Sequence, residues 1–199
     1  MKRKLFIVIS FAMFAVLVFT QINCTGKEET KPLSQQELLA RGKYLVTTGG
    51  CDDCHTPKIY TANGPVPDST RSLSGFQQGE KLPALDVKFV APGNWVVTES
   101  NFSAWVGPWG ISYAANLTPD NATGIGAVTE EMFIKSLREG KVKGVGRPLL
   151  PPMPWPTIGQ MTDQDLKAVY TYLKSIKPIN NEVPQPTPPD KMVEMLSGK

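Results

Sequence analysis

The sequence predicts a mainly α-helical domain interrupted by one long irregular stretch. Three segments, at Ser34, Thr129 and Thr162, begin with a helix-start signal and continue with apolar residues at helical spacing. Between the first and second of them, over about residues 58–126, Gly and Pro recur and no helical period is sustained. Gly 17 and Pro 18 among 199 residues leave room for much loop, while an apolar content of 41% is enough for a core.

Ahead of the first helix, Lys2, Arg3 and Lys4 precede an almost unbroken apolar run over 5–19, the plan of an export signal covering residues 1–23. The run is shorter than the ~20 residues of a spanning helix, although an uncleaved anchor remains an alternative. It ends at Gln21-Ile22-Asn23-Cys24, which resembles the end of a bacterial lipoprotein signal, whose Cys becomes the lipidated first residue. Gln21 and Asn23 stand where such signals usually carry an aliphatic and a small residue. Cys24 is the odd cysteine of an exported chain. Two fates are open to it: lipidation, or a free thiol behind an ordinary cleavage site. Residues 24–33 read as a polar tether. The expected address is therefore outside the cytoplasm, in the periplasm, with a membrane tether through Cys24 or through an uncleaved N-terminus.

Ser34 and Glu37 make a capping box, with Leu33 and Leu38 as its hydrophobic staple. This helix should run to about Thr47 and stop at Gly49-Gly50. Gly42 inside it costs about 1 kcal/mol relative to Ala, a cost that a close helix crossing would justify, with Tyr170 or Leu173 as the expected neighbour.

The pentad Cys51-Asp52-Asp53-Cys54-His55 follows at once. It reads C-x-x-C-H, the spacing for covalent haem attachment. Two thiols three positions apart can add to the two vinyl groups of one porphyrin, and the adjacent imidazole becomes the proximal iron ligand. A structural zinc site would need four Cys or His ligands, and Cys24 is the only further candidate. A thioredoxin-like pair would open a helix in a βαβ context, whereas this pair follows a helix pattern and enters Pro/Gly-rich sequence.

In the long stretch, 87–90 and 95–98 are short β-rich runs. Phe102, Trp105, Trp109 and Tyr113 are spaced aromatics, read either as a layer over a core or as a wall around a haem edge, the second being slightly favoured. Asn116-Leu117-Thr118-Pro119-Asp120 and Thr123-Gly124-Ile125-Gly126 are turn chemistry. Thr129 then caps the second helix, with Glu130 and Glu131 in its first turn and Gly140 at its end. Residues 141–147 form a basic, Gly-rich loop.

Pro151-Pro152-Met153-Pro154 comes next. Prolines stiffen a loop, which suits a group held against iron. His55 is the one His of the sequence, so a second His from this chain is excluded as the other axial ligand. Met153 is the leading candidate, with Met161, a Lys or an open position as the alternatives. The last helix starts at Thr162, carries Leu166, Val169, Tyr170, Leu173 and Ile176 on one face, and is closed by Pro178. Residues 181–199 form a Pro-rich tail expected to be extended or mobile. Lys2, Arg3 and Lys4 account for the whole formal charge of +3, so no clustered basic face argues for nucleic acid.

The order of helix, C-x-x-C-H, long middle, helix, Pro-Met-Pro loop and final helix resembles a class I cytochrome c domain over 34–180. The runs Arg41-Gly42-Lys43-Tyr44-Leu45, Cys51-Asp52-Asp53-Cys54-His55-Thr56-Pro57, the two turn motifs and the Pro-Met-Pro loop are similar to one module of the cytochrome c subunits of membrane-associated alcohol and aldehyde dehydrogenases. Those subunits commonly carry two or three haem modules, and this sequence holds one C-x-x-C-H. The resemblance implies a cytochrome c fold carrying the 58–126 insertion and one covalent haem c on Cys51 and Cys54. It implies His55 as proximal and Met153 as distal iron ligand. It also implies electron transfer without substrate catalysis, between a dehydrogenase donor and an oxidase or another cytochrome as acceptor.

Overall fold

The computed structural model describes residues 32–197. The export-signal reading and Cys24 fall on residues outside that range. Among the described residues there are six α-helices and five short strands, and no helix is long and apolar enough to cross a membrane.

The first helix, α1 (Gln35–Thr48), opens with the expected capping box. The Ser34 hydroxyl accepts from Glu37 N, and the Glu37 carboxylate accepts from Ser34 N at 2.8 Å. Gly49 closes it, and Gly50 at φ 66° swings the chain directly into α2 (Cys51–His55), a single turn holding the whole pentad. The second long helix, α3 (Glu130–Glu139), is capped by Thr129, whose hydroxyl accepts from Met132 N, and ends in a left-handed Gly140. A short α4 (Trp155–Ile158) leads into α5 (Asp163–Ser175), capped by Thr162.

The crossing of α1 and α5 anchors the helical half. A Cβ on Gly42 would fall on the backbone of Ala168 and within 2.7 Å of the Tyr172 Cβ. The close approach that the sequence implied is therefore present, but its partners are Ala168 and Tyr172 rather than Tyr170 or Leu173. Ala168 lies one turn back along α5, where its small side chain lets the backbones touch. Arg41 and Asp165 tie the same two helices at 2.8 Å. Beneath them Val46, Leu73, Ile125, Val169 and Leu173 form one core, with Cys51 and Phe133 packed at its edge.

The long stretch holds two small antiparallel assemblies. Strands β1 (Lys58–Thr61) and β2 (Gly64–Pro67) pair as a hairpin turning at 62–63. Strands β3 (Val97–Thr98), β4 (Ala104–Gly107) and β5 (Gly110–Tyr113) form a three-stranded meander. Of the two runs expected as strands, 95–98 supplies β3, whereas Val87–Val90 is a 3-10 turn because the Asp86 carboxylate accepts from Lys88 N and caps it.

The C-terminal segment departs furthest from expectation. It is extended as far as Thr187, which exchanges backbone hydrogen bonds with Ile111 at 2.8 and 3.0 Å. A 3-10 turn (Pro189–Lys191) and α6 (Met192–Leu196) follow. Met192 and Leu196 are buried with Val90, Val106 and Ile111 in a second core, with Leu82, Leu85, Val97 and Tyr113 packed around it. A tail read as loose from its prolines is thus packed against the sheet, because two of its apolar residues, Met192 and Leu196, sit at i and i+4 on one face of a single helical turn.

Candidate haem site

Within α2, Cys51 and Cys54 are one helical turn apart on one side, both partly exposed and both free thiols. Burial, then the neighbouring Asp52 carboxylate, pushes the Cys51 thiol up to about 11. Burial and Asp53 raise Cys54 as well. Cysteines that work as nucleophiles or redox pairs are usually held below their ordinary value, so this site does not look like a thioredoxin-type centre.

His55 is buried, and Nδ1 lies 2.7 Å from the carbonyl oxygen of Ala115. A carbonyl only accepts, so Nδ1 carries the proton and the Nε2 lone pair is left for a metal. Such a bond on the far nitrogen also sets the orientation of a ligating ring. Burial holds the imidazole below its usual range, which keeps it in the neutral, ligating form.

The backbone around His55 is held from three directions. Gly75 N donates to His55 O at 2.7 Å. The fully buried Thr56 hydroxyl donates to the Asp52 carboxylate at 2.6 Å and accepts from Leu73 N at 2.8 Å. The Lys58 ammonium donates to the carbonyl oxygens of Asp52, Asp53 and Thr56, at 3.0, 2.9 and 2.5 Å.

Met153 is half-buried in a turn closed by its own N–H on Leu150 O at 3.2 Å. The Pro151-Pro152 peptide in that turn is cis. Three contacts seat the loop. Ser112 Oγ donates to Pro151 O at 2.5 Å, Leu149 N donates to Gly140 O at 2.7 Å, and the Trp155 ring lies over Gly140 where a Cβ would otherwise stand. Ser112 begins the run, Ser112 to Ala115, whose last residue orients His55. One short segment therefore holds both halves of the predicted ligand set, about 10 Å apart along an extended backbone.

The sheet divides the aromatics. Ala104 faces Tyr113 and Val106 faces Ile111, on the side of the second core, where Tyr113 also packs on Phe76 at 4.9 Å. Trp105 faces Ser112 on the opposite side, and the Trp109 ring folds onto Gly107 with its Nε1 donating to Ser112 Oγ at 3.3 Å. Tyr113 is thus a covering residue, while Trp105 and Trp109 stand on the Met-loop side. Sequence reasoning missed Ala115, which acts through its backbone and leaves no signal, and Ser112, one serine among many. Lys58 did leave a signal: a cation just past the end of a helix, where carbonyls lack partners.

No family model matches the chain. Curated proteins do. The cytochrome subunit of fructose dehydrogenase from Gluconobacter japonicus is 29% identical over 177 residues, 87% of this chain and 29% of that protein. The cytochrome c subunit of gluconate 2-dehydrogenase from Pantoea cypripedii is 29% identical over 192 residues, 94% of this chain and 32% of its own length. The cytochrome c subunit of a quinone alcohol dehydrogenase from Gluconobacter oxydans is 36% identical over 147 residues, 73% of this chain and 23% of that protein. The chain is similar to these cytochrome c subunits. It spans about a third or less of the length of each. The donor set of Cys51, Cys54 and a neutral, oriented His55 fits the haem c that the word cytochrome implies.

Proposed function

We propose that this chain is a single-haem c-type cytochrome with a cytochrome c fold, carrying one electron at a time in an extracytoplasmic chain. The observation that carries the proposal is the Ala115-oriented, neutral His55 at the end of a one-turn C-x-x-C-H helix. Bound there, haem iron supplies a reversible one-electron couple. Cys51 and Cys54 hold the porphyrin through thioethers. His55 Nε2 and Met153 Sδ would bind the iron, with the Met153 loop kept in place by the Ser112–Pro151 bond. Trp105 and Trp109 exclude water from the Met-loop side. With His55 and Met153 both held by the chain as iron ligands, the group would be closed to substrate, and the chain would transfer electrons rather than catalyse. An N-terminal tether, lipidated at Cys24 or left as an uncleaved segment, keeps it at the periplasmic face of a membrane.

A second reading is favoured by the names of the relatives, all of them subunits of dehydrogenases. In it the chain docks to a dehydrogenase that reduces it and passes the electron to an oxidase or a second cytochrome. Co-purification of a dehydrogenase with the full chain supports this reading; isolation of the chain alone supports a free carrier.

The deciding experiment is an oxidised and reduced absorption spectrum of wild type and Met153→Ala, exported from a host able to attach haem. The wild type is expected to hold haem through acid extraction and to show low-spin bands with a Met–iron charge-transfer band. Met153→Ala is expected to lose that band and bind carbon monoxide. A high-spin wild type that binds carbon monoxide overturns the carrier reading, and extractable haem overturns covalent attachment.

A further inference from the structure

We infer that Lys58 is a positioning residue for the haem motif, and that its ammonium sets the reduction potential of the group held by His55. The inference rests on the function proposed above. An ammonium has three N–H donors, and here all three are spent on main-chain carbonyls that flank His55: those of Asp52, Asp53 and Thr56. A one-turn helix leaves its C-terminal carbonyls without partners inside the helix. His55 O is taken by Gly75 N, and Lys58 takes Asp53 O and the cap carbonyl of Thr56 while sharing Asp52 O with Thr56 N. The cation also rests where the partial negative charge of the helix end would otherwise be uncompensated.

Lys58 is well placed for this role. It begins β1, paired with Pro67, and its own N–H donates to the Asn101 side chain. Its backbone is thus held by the sheet while its side chain reaches back to the helix. The charged and titratable groups facing it are the carboxylates of Asp52, Asp53 and Glu99 and the Cys54 thiol. Asp52 and Lys58 both act on His55, in opposite directions. Glu99 is fully engaged elsewhere, accepting from Ser103 N, Ser103 Oγ, Ala104 N and Asn101 N. Removing the ammonium would leave a cluster of negative charge beside the proximal ligand. Negative charge favours the ferric over the ferrous form, because the ferric group carries one more positive charge.

The test compares wild type, Lys58→Met, Lys58→Gln and Lys58→Arg as exported full-length holoproteins. The readouts are equilibrium reduction potential and the Met–iron charge-transfer band. Lys58→Met is expected to move the ferric/ferrous equilibrium toward ferric by threefold to tenfold, the tenfold limit being 59 mV for one electron. Lys58→Arg, which restores a cation, is expected to return within twofold of wild type. If Lys58→Met yields no holoprotein, Lys58→Gln carries the potential measurement. Haem loading recovered only in Lys58→Arg supports the inference. Loss of loading in all three variants overturns it, since that marks a general folding requirement. A loaded Lys58→Met or Lys58→Gln with wild-type potential also overturns it and leaves the proposed function standing. A wild type without covalent haem overturns that function first and this inference with it.

Discussion

The core beneath the helices and the core beneath the sheet are built by opposite means. The first is made by helices whose ends are written into the chain: Ser34, Thr129 and Thr162 each accept from a main-chain N–H one turn on, as their capping signals require. The second is made by parts far apart in sequence. Val90 comes from a 3-10 turn, Val106 and Ile111 from a hairpin, and Met192 and Leu196 from one C-terminal helical turn. None of these pieces would persist alone, since a two-stranded ribbon or a five-residue helix is marginal in water. Local signals can therefore announce the first core, while the second exists only once its parts have met.

Breaking each core in turn separates them. Gly42→Leu should have the largest effect, since even a Cβ falls on the Ala168 backbone. It should cost more than about 3 kcal/mol and abolish haem loading, read by urea unfolding and the yield of coloured protein. Full loading in that variant would show that the α1–α5 crossing is not what holds α2 in place. Leu196→Ala should cost about 2 kcal/mol by leaving a cavity in the second core while sparing the Met–iron band. A band that vanishes in that variant would mean the two cores act as one unit.

The smallest effect should come from Asp68, a buried carboxyl held at about 2 by hydrogen bonds from Thr70 and Arg71. A carboxyl lowered in the folded state stabilises fully above its ordinary value near 4 and loses that contribution as pH falls through about 2. Asp68→Asn should therefore flatten the acid dependence of the urea midpoint between about pH 4 and 2. An unchanged acid limb would show that other carboxylates set it.

Asn181 shows how the long middle stretch and the C-terminal segment are joined, and why sequence reading passed over that joint. Its buried amide donates to Ser74 O at 2.7 Å and Phe76 O at 2.9 Å and accepts from Gln78 N at 2.8 Å. Asn116 makes the turn read from the sequence, its Oδ1 accepting from Thr118 N at 2.9 Å, and its amide also donates to Ile179 O at 2.8 Å. Each serves partners about sixty or more positions away. An asparagine that bridges at long range looks the same in sequence as one that makes a turn.

By itself the sequence determined the capped helices, the glycine at the crossing, the C-x-x-C-H turn and a stiff loop around Met153, because each depends on residues within a few positions of one another. Tertiary structure alone decided which residues meet Gly42, how the aromatics divide between the two faces of the sheet, and that the tail is built into a core. It alone decided that Ala115 orients His55 and Ser112 secures the Met loop. Those outcomes depend on main-chain carbonyls, which every residue carries, and on pairings whose partners become neighbours only when the chain closes on itself.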